Sequence, residues 1–328
     1  MDVLTVGSQA PRPPEPLPES DIMAYWSNPE DKPVVSILCH CFNHELFLED
    51  TLNGFLMQKT DFPWEIIVHD DASTDNSADI IRRYAEAYPS IIKPILQEEN
   101  QFSQGLRPTF FTTKAALGEY FAPCDADDYW LDPDKLQRQA DFLSNNPKYA
   151  VCGHNAFIVE SGTVVKTSKL PPINRADVSA KRLSQGWFIL TFTTMFRRDY
   201  DWYPEEHSKV VNGDAFFFSR LGKVGGYKYL SDIKLGAYRA HPGGVWSALD
   251  QQSRDATTLN SAYWMSQYYK RIGDRSLSFH YAQKVSLTAL ESLDVMSIPQ
   301  LLYFNWKLIR QMIKKRFRFL AQLLNKQD

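Results

Sequence analysis

The segment Ala122-Pro123-Cys124-Asp125-Ala126-Asp127-Asp128-Tyr129-Trp130 places three carboxylates within four residues, directly after an apolar run. A strand that ends in clustered carboxylates brings oxygen ligands to the sheet edge where open α/β folds bind their ligands. Mg²⁺ and Mn²⁺ take one or two carboxylates together with phosphate oxygens. The alternative is a solvated acidic turn in which Asp132 or Asp134 caps the following helix. The segment therefore indicates either a metal-diphosphate site or an ordinary turn.

The composition is that of a large folded protein without a basic surface. The chain has 328 residues, of which 44% are hydrophobic, and its formal net charge is −3. A sizeable core is expected, and nucleic-acid binding is disfavoured because it normally requires a basic domain. The four cysteines are too scattered for a disulfide framework, so we expect reduced thiols in the core of a cytoplasmic protein.

Apolar runs typical of strands alternate with helical periodicity after a Pro-rich, mostly irregular leader at residues 1–32. The expected strands are 33–39, 65–69, 91–96 and 119–124, and the expected helices lie near 47–56, 80–85 and 109–117. This alternation indicates a doubly wound α/β sheet with parallel strands. Two strands end in carboxylates, one in Asp70 and Asp71, the other in Asp125, Asp127 and Asp128. We expect the two acidic groups to face one crevice at the carboxyl edge of the sheet.

Several short segments follow one another in the order and spacing of family 2 glycosyltransferases, from about Pro33 to Ser247. They are Val35-Ser36-Ile37, Phe42-Asn43-His44, Glu65-Ile66-Ile67-Val68-His69-Asp70-Asp71-Ala72-Ser73-Thr74-Asp75, Gly118-Glu119-Tyr120, Asp127-Asp128-Tyr129-Trp130 and Asp134-Lys135-Leu136-x-Arg138-Gln139. The chain resembles the nucleotide-diphospho-sugar transferases of this family, and from Asp127 onward it is similar to bacterial members that build polysaccharides. The resemblance implies the GT-A fold, a Rossmann-like mixed sheet. Asp125-Ala126 stands where those members often have Glu-Gly.

The resemblance also implies a donor site with a divalent metal, Mn²⁺ or Mg²⁺. Asp71 resembles the carboxylate that accepts a hydrogen bond from the nucleotide base, with Asp70 beside it. Asp70 could instead be a turn residue. In the Asp-x-Asp motif, Asp127 is the expected metal ligand. The other expected donor contacts are Asp125 and Asp128 near the ribose and sugar, Phe42 at the base, and Arg107 or Lys114 at the diphosphate. The alternative for Arg107 and Lys114 is that both are ordinary surface charges.

A second chemical group lies at Gly213-Asp214. Inverting sugar transfer needs a carboxylate that takes the proton of the acceptor hydroxyl as this oxygen attacks the anomeric carbon. In the family this base commonly lies in a Glu-Asp pair at the start of a helix, and Gly213-Asp214 holds that place. We therefore expect Asp214 to be the catalytic base. The alternative is that it only caps the helix.

A third group is Tyr238-Arg239-Ala240-His241-Pro242-Gly243-Gly244-Val245-Trp246-Ser247, which resembles the loop that closes over the donor diphosphate. The resemblance implies that His241 completes the metal shell and that Arg239 or Trp246 meets phosphate or acceptor. A purely structural histidine is the alternative. The adjacent glycines would let the loop open and close.

The remaining chain divides into an acceptor half and a helical appendage. After the nucleotide-sugar half at 33–147, residues 148–249 are expected to face the acceptor, with strands at 149–153 and 156–165. The run at 189–197 is expected to form a strand under the site. Residues 250–328 are expected to be helical and to include a basic amphipathic helix at 298–324. That helix would lie on a membrane surface or pack on its own domain.

These features predict a metal-dependent, inverting glycosyltransferase. It would move a sugar from a nucleotide-diphospho-sugar to a hydroxyl of a glycan or lipid-linked acceptor in cell-surface polysaccharide synthesis. It would work in the cytoplasm, or peripherally at the cytoplasmic face of the inner membrane. One alternative is a sugar-1-phosphate nucleotidyltransferase, which needs a Gly-rich loop that His40-Cys41-Phe42-Asn43-His44 lacks. The other is a non-catalytic sugar-nucleotide or polysaccharide-binding subunit, which would be expected to have lost its carboxylates.

Overall fold

The computed structural model describes residues 4–198, 203–244 and 250–291, together with Trp306 and Arg310. It divides the chain into two compact units, Met1–Leu249 and Asp250–Asp328. The described helices and strands of the first unit are, in chain order, α1 (Glu19–Met23), β1 (Val35–Cys41), α2 (Leu48–Leu56), β2 (Trp64–Asp70), α3 (Ser77–Ala87), β3 (Ile92–Leu96), α4 (Pro108–Ala115), β4 (Tyr120–Pro123), α5 (Lys135–Asn145), β5 (Tyr149–Gly153), β6 (Ala156–Glu160), β7 (Thr163–Lys166), α6 (Ala180–Ser184), β8 (Met195–Arg197), α7 (Gly213–Leu221), β9 (Gly226–Tyr229) and β10 (Gly236–Arg239).

Seven strands form the main sheet in the order β3-β2-β1-β4-β8-β5-β9. Strand β1 is parallel to β2 and β4, whereas β8 is antiparallel to both β4 and β5. The expectation of parallel strands therefore holds for the first four strands, and β8 makes the sheet mixed. Alternate residues of β2 enter two separate clusters, Ile66 and Val68 in one and Ile67 in the other. Both faces of the sheet are covered, which is why β1 and β2 are continuous apolar runs.

The expected strand at 189–197 is wrong for most of its length. A 3₁₀ turn occupies Thr191–Thr193, and only Met195–Arg197 forms a strand. The threonine hydroxyls explain the difference because they bond local carbonyls: Thr193 donates to Leu190 O at 2.8 Å and Thr194 to Thr191 O at 2.7 Å. Such local bonds compete with strand pairing.

The second sheet has three strands in the order β10-β6-β7, and part of the leader pairs with its edge. Gln9 forms an antiparallel bridge with Thr163. The backbone N–H of Gly7 donates to Val164 O at 2.8 Å, and that of Ala10 donates to Gly162 O at 2.9 Å. Residues 7–10 therefore cover the edge of β7, although the leader contains little other regular structure apart from α1.

In the second unit, residues 250–291 include helices α8 (Gln251–Arg271) and α9 (Arg275–Glu291). Asp250 caps α8 by accepting a hydrogen bond from Ser253 N at 2.8 Å. The rings of Tyr269 and Tyr281 stack with centroids 5.7 Å apart and join the two helices. No helix in the described part of the chain is long and apolar enough to span a bilayer. Apart from Trp306 and Arg310, the expected amphipathic helix at 298–324 lies outside the described residues.

Candidate functional site

The acidic segment after β4 is anchored by β1 and α2. Beyond the strand, Cys124 N donates to Leu38 O at 3.0 Å and Ala126 N donates to His40 O at 2.9 Å. The Thr51 hydroxyl of α2 lies 2.9 Å from Ala126 O and 2.7 Å from Asp128 O. These contacts fix the backbone that carries Asp125, Asp127 and Asp128 at the carboxyl edge of the sheet.

Three side chains converge as a candidate metal site: His44, Asp127 and His241. Their potential ligand atoms all lie within 4.8 Å of one another, and His241 Nε2 is 3.1 Å from Asp127 Oδ2. The His44 Nδ1 atom is buried without a hydrogen-bond partner. Two imidazoles and a carboxylate suit a divalent transition metal, and an unpaired buried nitrogen is costly unless a ligand satisfies it. The three residues therefore fit a bound divalent cation.

The charge state of Asp127 also suits a ligand. Burial alone would raise the pKa of its carboxyl, but the hydrogen bond with His241 and the electrostatic interaction with His44 lower the pKa overall. Asp127 and His241 were expected from the sequence, whereas His44 was not. The sequence position of His44 could have identified it as a site residue, because Phe42-Asn43-His44 follows β1 at the same sheet edge as Asp127.

Asp128 and Arg239 hold the acidic segment from within the protein. Burial raises the pKa of Asp128 well above its ordinary value, and the charge of Asp127 adds to this. Asp128 Oδ1 accepts a hydrogen bond from the Arg239 backbone N–H at 2.9 Å. The Arg239 guanidinium donates to Asp127 O at 2.9 Å and to the Asp50 carboxylate. It also lies 4.4 Å from the centroid of the Tyr129 ring. The structure thus places Arg239 on the acidic segment itself.

We expect Asp50→Asn to lower the free energy of unfolding by about 1.5–3 kcal/mol, because the Asp50 side chain is only 15% exposed and bonds a charged guanidinium. The matched control is Asp79→Asn, whose ion pair with Arg82 is largely exposed and should be worth less than about 1 kcal/mol. Urea denaturation followed by circular dichroism measures both. Equal losses in the two variants would contradict the role assigned to Asp50.

The expected base-binding residues lie at the end of β2. Asp71 is buried, and its two carboxylate oxygens accept the backbone N–H groups of Gln101 at 2.8 Å and Phe102 at 3.0 Å. A carboxylate has about four acceptor positions, so capacity remains for a base. Asp70 accepts from the Ser73 N–H at 3.0 Å, as in the turn considered for it. Phe42 follows β1 and is 46% exposed.

Asp125, the first carboxylate of the acidic segment, is paired with His40, which was not expected from the sequence to be a site residue. His40 Nδ1 lies 2.9 Å from Asp125 Oδ1, and His40 Nε2 lies 3.1 Å from Thr112 Oγ1. The Asp125 side chain is 63% exposed. It therefore remains accessible to a ligand while the histidine fixes its orientation.

Asp214 lies at the start of α7 without capping it. Asn212 is the cap, because its Oδ1 accepts the Ala215 N–H at 3.0 Å, so the capping alternative for Asp214 is wrong. The Asp214 carboxyl accepts a hydrogen bond from the Thr191 hydroxyl and is still accessible to solvent. Desolvation by the surrounding protein raises the pKa of this carboxyl.

Four neighbouring groups also act on the pKa of Asp214. The Thr191 hydrogen bond lowers it, the charge of Asp125 raises it, and Arg107 and His40 lower it. Asp214 is therefore within electrostatic range of the acidic segment. The other acidic pair, Asp70 and Asp71, lies across β1, since β2 and β4 flank that strand on opposite sides.

Comparisons with known proteins identify the family of the chain. A model of the family described as Glycosyl transferase family 2 matches residues 36–203. An uncharacterized Mycobacterium tuberculosis protein is 37% identical over 215 residues, 65% of this chain and 60% of the relative. An uncharacterized glycosyltransferase of Nostoc sp. is 38% identical over 270 residues, 77% of this chain and 79% of the relative. The chain therefore spans only 60% of the length of the mycobacterial relative.

Two further proteins extend the comparison. A putative teichuronic acid biosynthesis glycosyltransferase of Bacillus subtilis, TuaG, is 36% identical over 112 residues, 34% of this chain and 42% of the relative. The crystal structure of residues 1–349 of S. aureus TarS in complex with UDP-GlcNAc is 22% identical. The structural alignment covers 78% of this chain and 71% of the TarS chain, with a TM-score of 0.56. The fold is the GT-A fold, and the chain belongs to glycosyl transferase family 2.

Proposed function

We propose that this chain is a metal-dependent, inverting glycosyltransferase that uses a nucleotide-diphospho-sugar donor. The observation that carries the proposal is the convergence of His44, Asp127 and His241 at the sheet edge, with Asp214 within electrostatic range of Asp125 in the same acidic segment. Family membership supports glycosyl transfer. The UDP-GlcNAc complex of TarS supports a nucleotide-sugar as donor.

The proposed metal would be held by His44, Asp127 and His241. A divalent cation bound there would neutralise the charge of the departing nucleoside diphosphate. Of the two expected ions, Mn²⁺ suits the two imidazoles better than Mg²⁺, which prefers oxygen ligands. Arg239 and Thr51 would keep the ligand-bearing backbone in place, since both bond the acidic segment directly. Asp71 and Phe42 would receive the base, and Asp125 would lie near the ribose and donor sugar. The expectation that Asp128 also contacts the donor is not kept, because this side chain is buried and bonds the Arg239 backbone.

Asp214 would act as the general base. The acceptor hydroxyl oxygen forms a bond to the anomeric carbon, the bond from that carbon to the diphosphate oxygen breaks, and Asp214 takes the hydroxyl proton. A single displacement of this kind inverts the anomeric centre. The raised pKa of Asp214 makes its carboxylate a stronger base than that of an ordinary aspartate.

The proposed acceptor is a sugar hydroxyl on a glycan or lipid carrier in cell-surface polysaccharide synthesis. The naming of TuaG for teichuronic acid biosynthesis supports this class of product. A lipid-linked acceptor would suit a peripheral position at the cytoplasmic face of the inner membrane, through the basic segment 298–324 that the sequence predicts.

Donor binding tests the proposal directly. We expect calorimetry with a panel of UDP-, GDP- and dTDP-sugars to reveal one class of donor that binds in the presence of Mn²⁺. Its affinity should fall by about 100-fold or more after chelation, because metal contacts to a diphosphate are worth several kcal/mol. Failure of every donor to bind to the folded protein would refute the proposed function. Binding unchanged by chelator would refute its metal dependence.

A further inference from the structure

Arg107 joins two parts of the site that are far apart in the sequence. Its guanidinium group donates a hydrogen bond to the Val210 carbonyl. A Cβ atom added to Gly213 would lie 2.8 Å from Arg107 Nη1, so the guanidinium packs directly against the first residue of α7. The next residue is Asp214. Burial lowers the pKa of Arg107 and the charge of Asp214 raises it, but a guanidinium stays protonated in proteins.

We propose that Arg107 is a positioning residue for sugar transfer, which fixes the first turn of α7 and thereby the Asp214 carboxylate. This inference rests on the proposed role of Asp214 as the base. It differs from the expectation that Arg107 binds the donor diphosphate. The two roles make opposite predictions for donor affinity, because a diphosphate contact contributes to donor binding and a contact to α7 does not.

The segment that leads to Arg107 is itself fixed. Asp71 holds the backbone of Gln101 and Phe102, and Leu106 N donates to Gln101 O at 3.0 Å. Gly105 makes the intervening turn with a φ of 86°, a value that glycine adopts without strain. Arg107 then precedes α4. Its guanidinium is consequently presented to α7 from a braced segment of backbone.

The electrostatic consequence can be measured as a pH dependence. The groups that act on Asp214 are the Thr191 hydroxyl, the Asp125 carboxylate, Arg107 and His40. Burial and Asp125 raise the pKa of Asp214, and Arg107 is one of the groups that oppose them. Without the guanidinium, Asp214 should keep its proton to a higher pH. The ascending limb of the rate profile should therefore move to higher pH.

Three variants of the full chain test the inference: Arg107→Gln, Arg107→Lys and Gly213→Ala. We expect Arg107→Gln to lower kcat by about 10- to 100-fold through misplacement of the base. It should leave the donor Kd within about 2-fold, since the hydrogen bond to the Val210 carbonyl does not involve the donor.

The other two variants separate the charge of Arg107 from its position. Arg107→Lys should retain more of the wild-type pH profile than Arg107→Gln. Gly213→Ala keeps the charge and displaces the guanidinium, so it should lower kcat at unchanged donor Kd. Arg82→Gln on α3, with an exposed side chain, is the control for removal of an arginine.

A loss of donor affinity in Arg107→Gln with an unchanged pH profile would overturn the inference and assign Arg107 to the diphosphate. Failure of the proposed function can be told apart from this result. If the wild type transfers no sugar, the carboxyl titration of Asp214 by NMR still tests whether the guanidinium acts on Asp214. We expect a higher titration midpoint in Arg107→Gln than in the wild type, and identical midpoints would overturn the inference.

Discussion

Asp214→Asn is expected to lower kcat by about 10²- to 10⁴-fold, the usual contribution of a positioned general base. Asparagine keeps the size of the side chain and can still contact the Thr191 hydroxyl, so α7 should not move. It cannot accept the acceptor proton. Donor affinity should stay within about 2-fold of wild type, because the missing interaction develops only in the transition state. Single-turnover kinetics and donor calorimetry measure the two effects separately.

The pH profile adds a second readout for Asp214. Transfer needs the ionised carboxylate, so wild-type activity should fall as pH falls through the pKa of Asp214. Because this pKa is raised, the fall should begin at a higher pH than for an ordinary aspartate. This limb should disappear in Asp214→Asn. Asp141→Asn, an exposed position on α5, should retain both activity and the limb. If Asp214→Asn loses donor binding as severely as transfer while the fold is intact, Asp214 is not the base.

Asp127→Asn is expected to reduce donor affinity in Mn²⁺ to the level that the wild type shows in chelator, a loss of about 100-fold or more. The change removes the carboxylate between the two histidines and leaves the backbone contacts of the segment intact. His44→Ala should weaken Mn²⁺ binding by about 10-fold or more, as expected for loss of one ligand among several. Titration with Mn²⁺ in the absence of donor measures the metal affinity directly.

The control for Asp127→Asn is Asp134→Asn, which makes the same chemical change at a half-exposed carboxylate seven positions along the chain. It should leave both metal and donor affinity unchanged. If Asp127→Asn still responded to Mn²⁺ as the wild type does, the metal would have to bind elsewhere. If His44→Ala bound Mn²⁺ as the wild type does while Asp127→Asn did not, the protein ligands of the metal would be Asp127 and His241 alone.

The elements of the first half of the domain follow closely from the sequence. Strands β1 to β4 and helices α2 to α4 lie where apolar spacing places them, because this spacing reflects burial along a single element. The turn at Thr191–Thr193 escaped this reasoning. Threonine favours strands by its branching, whereas hydrogen bonds from its hydroxyl to nearby carbonyls decided the local structure.

The site was harder to predict than the fold because its contacts join distant segments. His44 and His241 meet only after the chain has formed both sheets, and nothing in the local pattern of either residue marks the other. Arg239 shows the same limit. The sequence predicts that Arg239 meets phosphate or acceptor, which stays a prediction, and it gives no sign that the guanidinium also bonds Asp50 and the backbone of Asp127. Residue type indicated the chemistry of the region, and only tertiary structure assigned the partners.

The leader bears on where the family 2 domain begins. The family match starts at residue 36, yet the Tyr129 hydroxyl donates to Pro11 O at 2.8 Å and residues 7–10 cover the edge of β7. A chain shortened to the family match would leave that hydroxyl unpaired beside the acidic segment and expose a strand edge that favours aggregation. The family match alone thus underestimates the length of polypeptide that we expect an intact site to need.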